Sequence, residues 1–336
     1  MGPLEWYKVC STLEQIQKTH KRPERLKKLK AIFEEHRRRG PPIVNVDVNG
    51  YERQIDHLLA CAKGKEAEEQ GQVVRKIQEA ARKAKGKEAE GQGASDAKEE
   101  LRAAVAKLNE LVHGPHMYSL IRLLLPQLDR NENGENVLYN MKEAKIARAF
   151  VTALDLPPKV GDSLKNWRKP EGGEGYGVFS NVLYHQLKER VSKTGQKVTI
   201  QDINDFLDGM AKAVGDEQLD LIKNLANSAS AFELKWIARL LLRELKQGVT
   251  EELVFKAYHE DASELFKVDA RLRHIVNQCY NPKHRLGQAC IQVNKAFKPM
   301  LADKTQNLEQ AYFDRVFTKT KGIFWIEPKV IILLYP

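Results

Sequence analysis

From His116 to Lys304 one helical pattern follows another. The segments YSLIRLLLPQLDR, KEAKIARAFVTALDLPP, VFSNVLYHQLKERVSK, TIQDINDFLDGMAKAV, LDLIKNLANSASAFELKWIARLLLRELKQG and TEELVFKAYHEDASELFKV each set apolar side chains at helical spacing. Punctuation falls where helices need it. Thr199 opens a helix with Asp202 three residues on, and Gly248 closes one just before Thr250 can start the next. Such a succession buries its apolar faces helix on helix, so the expected fold class is all-α.

Length and charge set the outer bounds. The 336 residues have room for two domains, and 42% are hydrophobic, enough for buried cores. The 55 Lys and Arg outnumber 45 Asp and Glu, and a net charge of +10 suits a polyanionic partner, nucleic acid or an acidic membrane surface. Cys10, Cys61, Cys279 and Cys290 are far apart, without CxxC or Cys/His spacing, so neither a disulfide framework nor a metal site is signalled. The start MGPLEWYKVC is no signal peptide, and no apolar run approaches the ~18 residues of a membrane span. The expectation is a cytosolic or nuclear protein without a membrane partner.

Four segments differ in character. Residues 1–40 carry eleven Lys and Arg against five Asp and Glu, with Leu13, Ile16, Leu26, Leu29, Ile32 and Phe33 at helical spacing. These read as two amphipathic helices broken near Pro23 and ended by Gly40-Pro41-Pro42. Residues 41–114 open with VNVDVNGY, a β-like or turn stretch, and continue rich in Ala, Lys, Glu, Gln and Gly; AKGKEAE stands at 62–68 and again at 84–90. One repeated heptapeptide fits a helical linker better than a solenoid, which needs three or more units. Residues 115–304 form the main helical domain, and 305–336 end in a β-rich tail, GIFWIEPKVIILLYP.

Three constellations invite a chemical reading. On an ideal helix through AFELKWIARLLLRELKQG, Lys235, Arg239, Arg243 and Lys246 fall within a stripe roughly 80° wide, away from Glu233 and Glu244. Like charges at this spacing repel, so the stripe points either to an external polyanion or to a solvated or internally paired face. DRNENGENVLYN starts like a calcium loop at Asp129, but its twelfth residue is Asn140 where a bidentate Glu is required, and a polar turn explains the same residues. His113 and His116 flank Gly-Pro in an expected loop. No P-loop, GxSxG or HExxH occurs in the helical region, which reads as a binding module.

Taken in order, KVCSTLEQIQK, LIRLLLPQLDR, LYNMKEAKIARAF, LKNWRKP, VTIQDINDFLD, ELKWIARLLLRELKQGV and AFKPMLADK resemble the N-terminal DNA-binding region of eukaryotic ATP-dependent DNA ligases, most closely the end-joining ligase IV type. The resemblance implies an all-helical domain lying against the minor groove of nicked or broken duplex DNA, in the nucleus, in double-strand break repair by non-homologous end joining. It gives Lys235, Arg239, Arg243 and Lys246 their polyanion. It adds Lys142 as a DNA contact, since LYNMK falls where the family has a Tyr-Gly-x-Lys turn; Asn140 replaces the glycine, and Asn also tolerates the left-handed region. It further implies that Leu29, Ile32 and Phe33 line a groove for a peptide of an Artemis-type nuclease, with plain packing of the two helices as the alternative.

EQGQVVRKIQEAARKAKG followed by ELRAAVAKLNELV resembles a WHEP helical hairpin, which implies RNA as a partner for residues 65–113, with Arg75, Lys76, Arg82, Lys83 and Lys85 facing it. A basic helical spacer is the alternative. Enzymes of the ligase family use ATP and Mg2+, and a lysine in a KxDG motif attacks the ATP. Lys329 resembles that lysine, but Ile331 and Ile332 stand where Asp and Gly belong. The expectation is a duplex-binding fragment, inactive alone and without a cofactor of its own, whose tail begins a truncated nucleotidyltransferase domain. A ligase active only in a longer form and an RNA-binding accessory protein are the rival readings.

Overall fold

The structure, a computed structural model, describes residues 2–40, 65–89, 95–130, 135–169, 176–191, 197–245, 248–283 and 285–286. Among them are thirteen α-helices and no strand: α1 (Trp6–Lys18), α2 (Arg22–Arg39), α3 (Lys65–Ala89), α4 (Ser95–Leu124), α5 (Glu143–Ala153), α6 (Pro158–Lys165), α7 (Phe179–Leu187), α8 (Ile200–Lys212), α9 (Asp216–Ser228), α10 (Ala231–Leu241), α11 (Glu251–Tyr258), α12 (Ala262–Val268) and α13 (Leu272–Gln278). The fold class is all-α, as the apolar spacing requires. The VNVDVNGY stretch and the tail with Lys329 lie outside the described residues.

The ends of the helices follow local chemistry. Pro23 sits in the first turn of α2, where a missing N–H removes no helical hydrogen bond. The Thr199 hydroxyl accepts from the Asp202 N–H at 3.2 Å, and the Asp202 carboxylate takes the Thr199 N–H at 2.8 Å, a reciprocal cap for α8. Ser230 and Glu233 repeat this arrangement at the start of α10. Gly248 has φ +63°, and Thr250 then caps α11 by accepting from the Leu253 N–H at 3.3 Å.

Two apolar cores result. The larger gathers α1, α2, the C-terminal part of α4 and the helices after it, around Trp6, Phe33, Phe150, Trp236 and Phe255. At its centre lies α10, with ten of its eleven residues buried. The smaller joins Val74, Ile77, Ala80 and Ala81 of α3 to Leu101, Val105 and Leu108 of α4. A single helix, α4, belongs to both.

That continuity corrects the loop expected around His113 and His116, because α4 passes straight through Gly114-Pro115. A proline inside a helix costs about 3 kcal/mol, so packing there has to outweigh it. Gly114 lets α13 approach so closely that a Cβ would lie 2.1 Å from the Asn277 side chain and 3.2 Å from its Cα. The His113 ring stacks on Tyr280, centroids 5.8 Å apart. His36 of α2 and His116 stack at 3.9 Å, and the Nε2 of each lies within 2.9 Å of the other's backbone carbonyl.

In that reciprocal pair each Nε2 donates to a carbonyl, and burial disfavours a charge on either ring. Burial and the neighbouring His116 push His36 down to about 3, and burial lowers His116 as well. An unfolded histidine titrates near 6.5. The folded state therefore binds fewer protons below that value, and stability present above pH ~6.5 drains as pH falls toward 3. Urea titrations should show a loss of about 2 kcal/mol from His36 alone between pH 7 and 5, with His116 adding in the same direction. A His36→Gln, His116→Gln variant should show a visibly flatter pH dependence; equal slopes would contradict the neutral clasp.

Candidate nucleic-acid interface

The cationic stripe is where sequence and structure part. Its premise was a single exposed helix from Lys235 to Lys246, but α10 ends at Leu241 and Arg243 takes φ +55°, so the face does not continue. Lys235 is only 8% exposed and Arg239 only 4%. The Lys235 ammonium pairs with Glu14 of α1 at 2.8 Å and lies within 5.9 Å of the Tyr184, Phe232 and Trp236 ring centroids. Arg239 donates to the Ser180 hydroxyl at 2.7 Å and to the Asn181 side chain at 3.3 Å, with its guanidinium over Trp236. Burial pushes its pKa down to about 10. Both are internal residues of the core, and Lys246 lies outside the described residues.

Arg243 works as a clamp. Its guanidinium donates to the carbonyls of Pro126 at 2.9 Å, Gln127 at 2.9 Å, Asp129 at 3.1 Å and Val137 at 2.8 Å. Backbone oxygens occupy the directions in which phosphates would have to lie. The clamp thereby binds the end of α10 to the segment between α4 and α5.

Beneath it is an ionic network that sequence reading did not find. Asp129, 2% exposed, receives the Arg122 Nε at 2.7 Å, the Tyr118 hydroxyl at 2.9 Å and the Tyr139 hydroxyl at 3.3 Å. Arg122 reaches on to Asp208 at 2.7 Å. Burial disfavours its charge, but the two carboxylates outweigh this and hold the guanidinium protonated. The Tyr139 hydroxyl is pushed up to about 12 by burial and by the Asp129 charge. Asp129 is thus an internal acceptor in place of a calcium ligand. One signal was present in the sequence: Arg122 stands alone inside the apolar run from Leu120 to Leu125.

What the network positions is the turn before α5. Asn140 has φ +52°, the left-handed conformation that Gly or Asn adopts at least cost. Gln218 of α9 donates to the Tyr139 carbonyl at 3.3 Å and accepts from Lys145 at 2.8 Å. Lys142 then stands at the N-cap of α5, exposed and with no ion pair among the described residues. Of the suggested main-domain cations that lie among the described residues, it is the one left fully exposed.

The expected peptide groove is filled. Leu29, Ile32 and Phe33 are 0%, 3% and 0% exposed within the main core, and Phe33 tilts against Tyr258 with centroids 5.6 Å apart. Plain packing of α2 on the domain accounts for all three, and no groove lined by them is open to a nuclease peptide. On α3, Arg75, Lys76, Arg82 and Lys83 are exposed, while the side chain of Lys85 lies outside the described residues. Among the described residues no group of three or more His, Cys, Asp or Glu could hold a metal ion, and no helix is long and apolar enough to cross a membrane.

An all-helical module of this form has known relatives. The model of the DNA ligase N terminus matches residues 71–259, more than half of the chain, and the chain belongs to that family. It is 36% identical over 209 residues to DNA ligase 4 of Homo sapiens, covering 58% of this chain and 22% of that protein. The Pongo abelii DNA ligase 4 is 38% identical over 192 residues, covering 55% and 20%. The Gallus gallus DNA ligase 4 is 34% identical over 217 residues, covering 61% and 23%. The chain spans about a fifth of the length of these curated relatives.

A direct check follows from the burial of α10. Arg239→Ala removes the partner of Ser180 and Asn181 and opens a void beside Trp236, and should cost roughly 2–4 kcal/mol in urea unfolding. A surface arginine would change stability by no more than about 0.5 kcal/mol, and that result would overturn the internal assignment.

Proposed function

We propose that the helical region binds duplex DNA without reading its sequence, as the N-terminal part of a nuclear, ligase IV-type protein of double-strand break repair by non-homologous end joining. The observation that carries this reading is the family match over residues 71–259 together with the DNA ligase 4 relatives. The net charge of +10 and the exposed Lys142, held on a turn fixed from beneath, support it. Backbone contacts of this kind give affinity that is independent of sequence and falls with salt.

Ligation itself, with ATP and Mg2+, is proposed for a complete enzyme of this type and is not assigned to the described residues. Lys329 has Ile331 and Ile332 after it in place of the Asp and Gly of the family's motif. Purified chain incubated with labelled ATP should acquire no covalent adenylate; a labelled band would show that the broken motif still works.

The binding reading is tested by fluorescence anisotropy on nicked and intact duplexes over a range of salt. The chain should bind both, with log affinity falling linearly in log salt. Lys142→Glu should weaken binding on every sequence tried and reduce the slope by about 1. A wild-type chain that fails to bind duplex at ~50 mM salt would end this reading.

A further inference from the structure

The hairpin of α3 and α4 carries a feature that its own packing does not use. On α3 the apolar Val74, Ile77, Ala80 and Ala81 face α4. At about 100° per residue, Arg75, Lys76, Arg82 and Lys83 spread over roughly 120° on the opposite side. They form two Arg-Lys pairs seven residues apart, so each arginine and each lysine recurs after about 10.5 Å along the helix. All four are exposed. Glu79 and Glu100 both serve Lys83, at 3.1 and 3.9 Å, and Arg75, Lys76 and Arg82 have no ion pair among the described residues. Glu79 shares this face and is spent on Lys83, so one carboxylate stands among four cations and the remaining positive charge favours an external anion.

The spacing indicates which anion. A DNA strand carries one phosphate per ~3.4 Å of axis, so a step of about 10.5 Å matches every third phosphate. The attachment matters equally. Because α4 is one helix from the hairpin core at Leu101–Leu108 into the main core at Met117–Leu124, the basic face is borne on a stiff arm and not on a loose linker. At 1.5 Å per residue, Leu101 stands about 24 Å along the helix from Met117.

We propose that Arg75, Lys76 and Arg82 form a second phosphate-contacting surface, which grips duplex DNA away from the turn of Lys142 and lengthens the footprint of the chain. This rests on the duplex-binding reading above. The face would act as an added clamp on the flank of a break or nick, contributing affinity without sequence preference.

The experiment uses the full chain and a duplex of ~40 bp, long enough to pass beyond the main body at ~3.4 Å per base pair. The variant Arg75→Gln, Lys76→Gln, Arg82→Gln keeps helix-forming side chains and should keep its circular dichroism and melting temperature. Its salt slope should be smaller than that of the wild type by about 2 to 3, at roughly 0.9 per lost phosphate contact. The charge-preserving variant Arg75→Lys, Arg82→Lys should retain the wild-type slope, which separates charge from any disturbance of the hairpin. If wild type and Gln variant have the same slope while Lys142→Glu still weakens binding, this proposal fails and the duplex reading stands. If the wild type does not bind duplex, both fail. If the Gln variant loses affinity for a stem-loop RNA and none for duplex DNA, the face belongs to RNA and the proposal is overturned.

Discussion

The fold closes around a buried charge. Asp129 lies just past the end of α4, 2% exposed, and cannot be taken out of water unless its lone pairs are met. Arg122, Tyr118 and Tyr139 meet them, and Arg122 carries the network to Asp208 on α8. Removing one partner of such a pair costs about 3–5 kcal/mol, because the other charge is left stranded. Tyr118 and Arg122 of α4 and Tyr139 before α5 are therefore tied to one another through this carboxylate. The position of the Asn140 turn, and of Lys142 after it, follows from that constraint.

Several arginines are spent on the protein's own backbone. Arg243 holds four carbonyls between Pro126 and Val137. Arg37 donates to the Tyr258 carbonyl at 2.7 Å, and Arg39 to the Gly2 carbonyl at 2.8 Å. A planar guanidinium with five donors suits this work, since one side chain can satisfy several acceptors that no helix covers. A net charge of +10 thus overstates how many cations face a partner. Among the described cations with no ion pair are Lys142 and, on α3, Arg75, Lys76 and Arg82, whereas Lys83 is paired with Glu79 and Glu100.

The sequence was most legible where chemistry is local. The Thr199 and Thr250 caps and the break near Pro23 each follow from neighbours within four residues, and each is found in the structure, whereas Gly248, expected to close a helix, takes φ +63° seven residues after α10 has ended at Leu241. Helical faces were legible only as long as one helix continued. Lys235 and Arg239 look like a surface stripe because the angular projection assumes a solvated helix, whereas α10 is enclosed by α1 and α7. Pairing across a fold is invisible to spacing: Glu14 with Lys235 joins residues 221 apart in sequence. The helix through Gly114-Pro115 was hidden for the same reason, since its compensation comes from Asn277, Tyr280 and His36.

Asp129 and Arg122 act as one unit in the closed fold. A double-mutant cycle with Arg122→Met and Asp129→Asn, read by urea unfolding, measures that coupling without the penalty of a stranded charge being counted twice. The double variant should be more stable than the sum of the single losses implies, with an interaction energy of about 2–3 kcal/mol. Additivity within about 0.5 kcal/mol would contradict it.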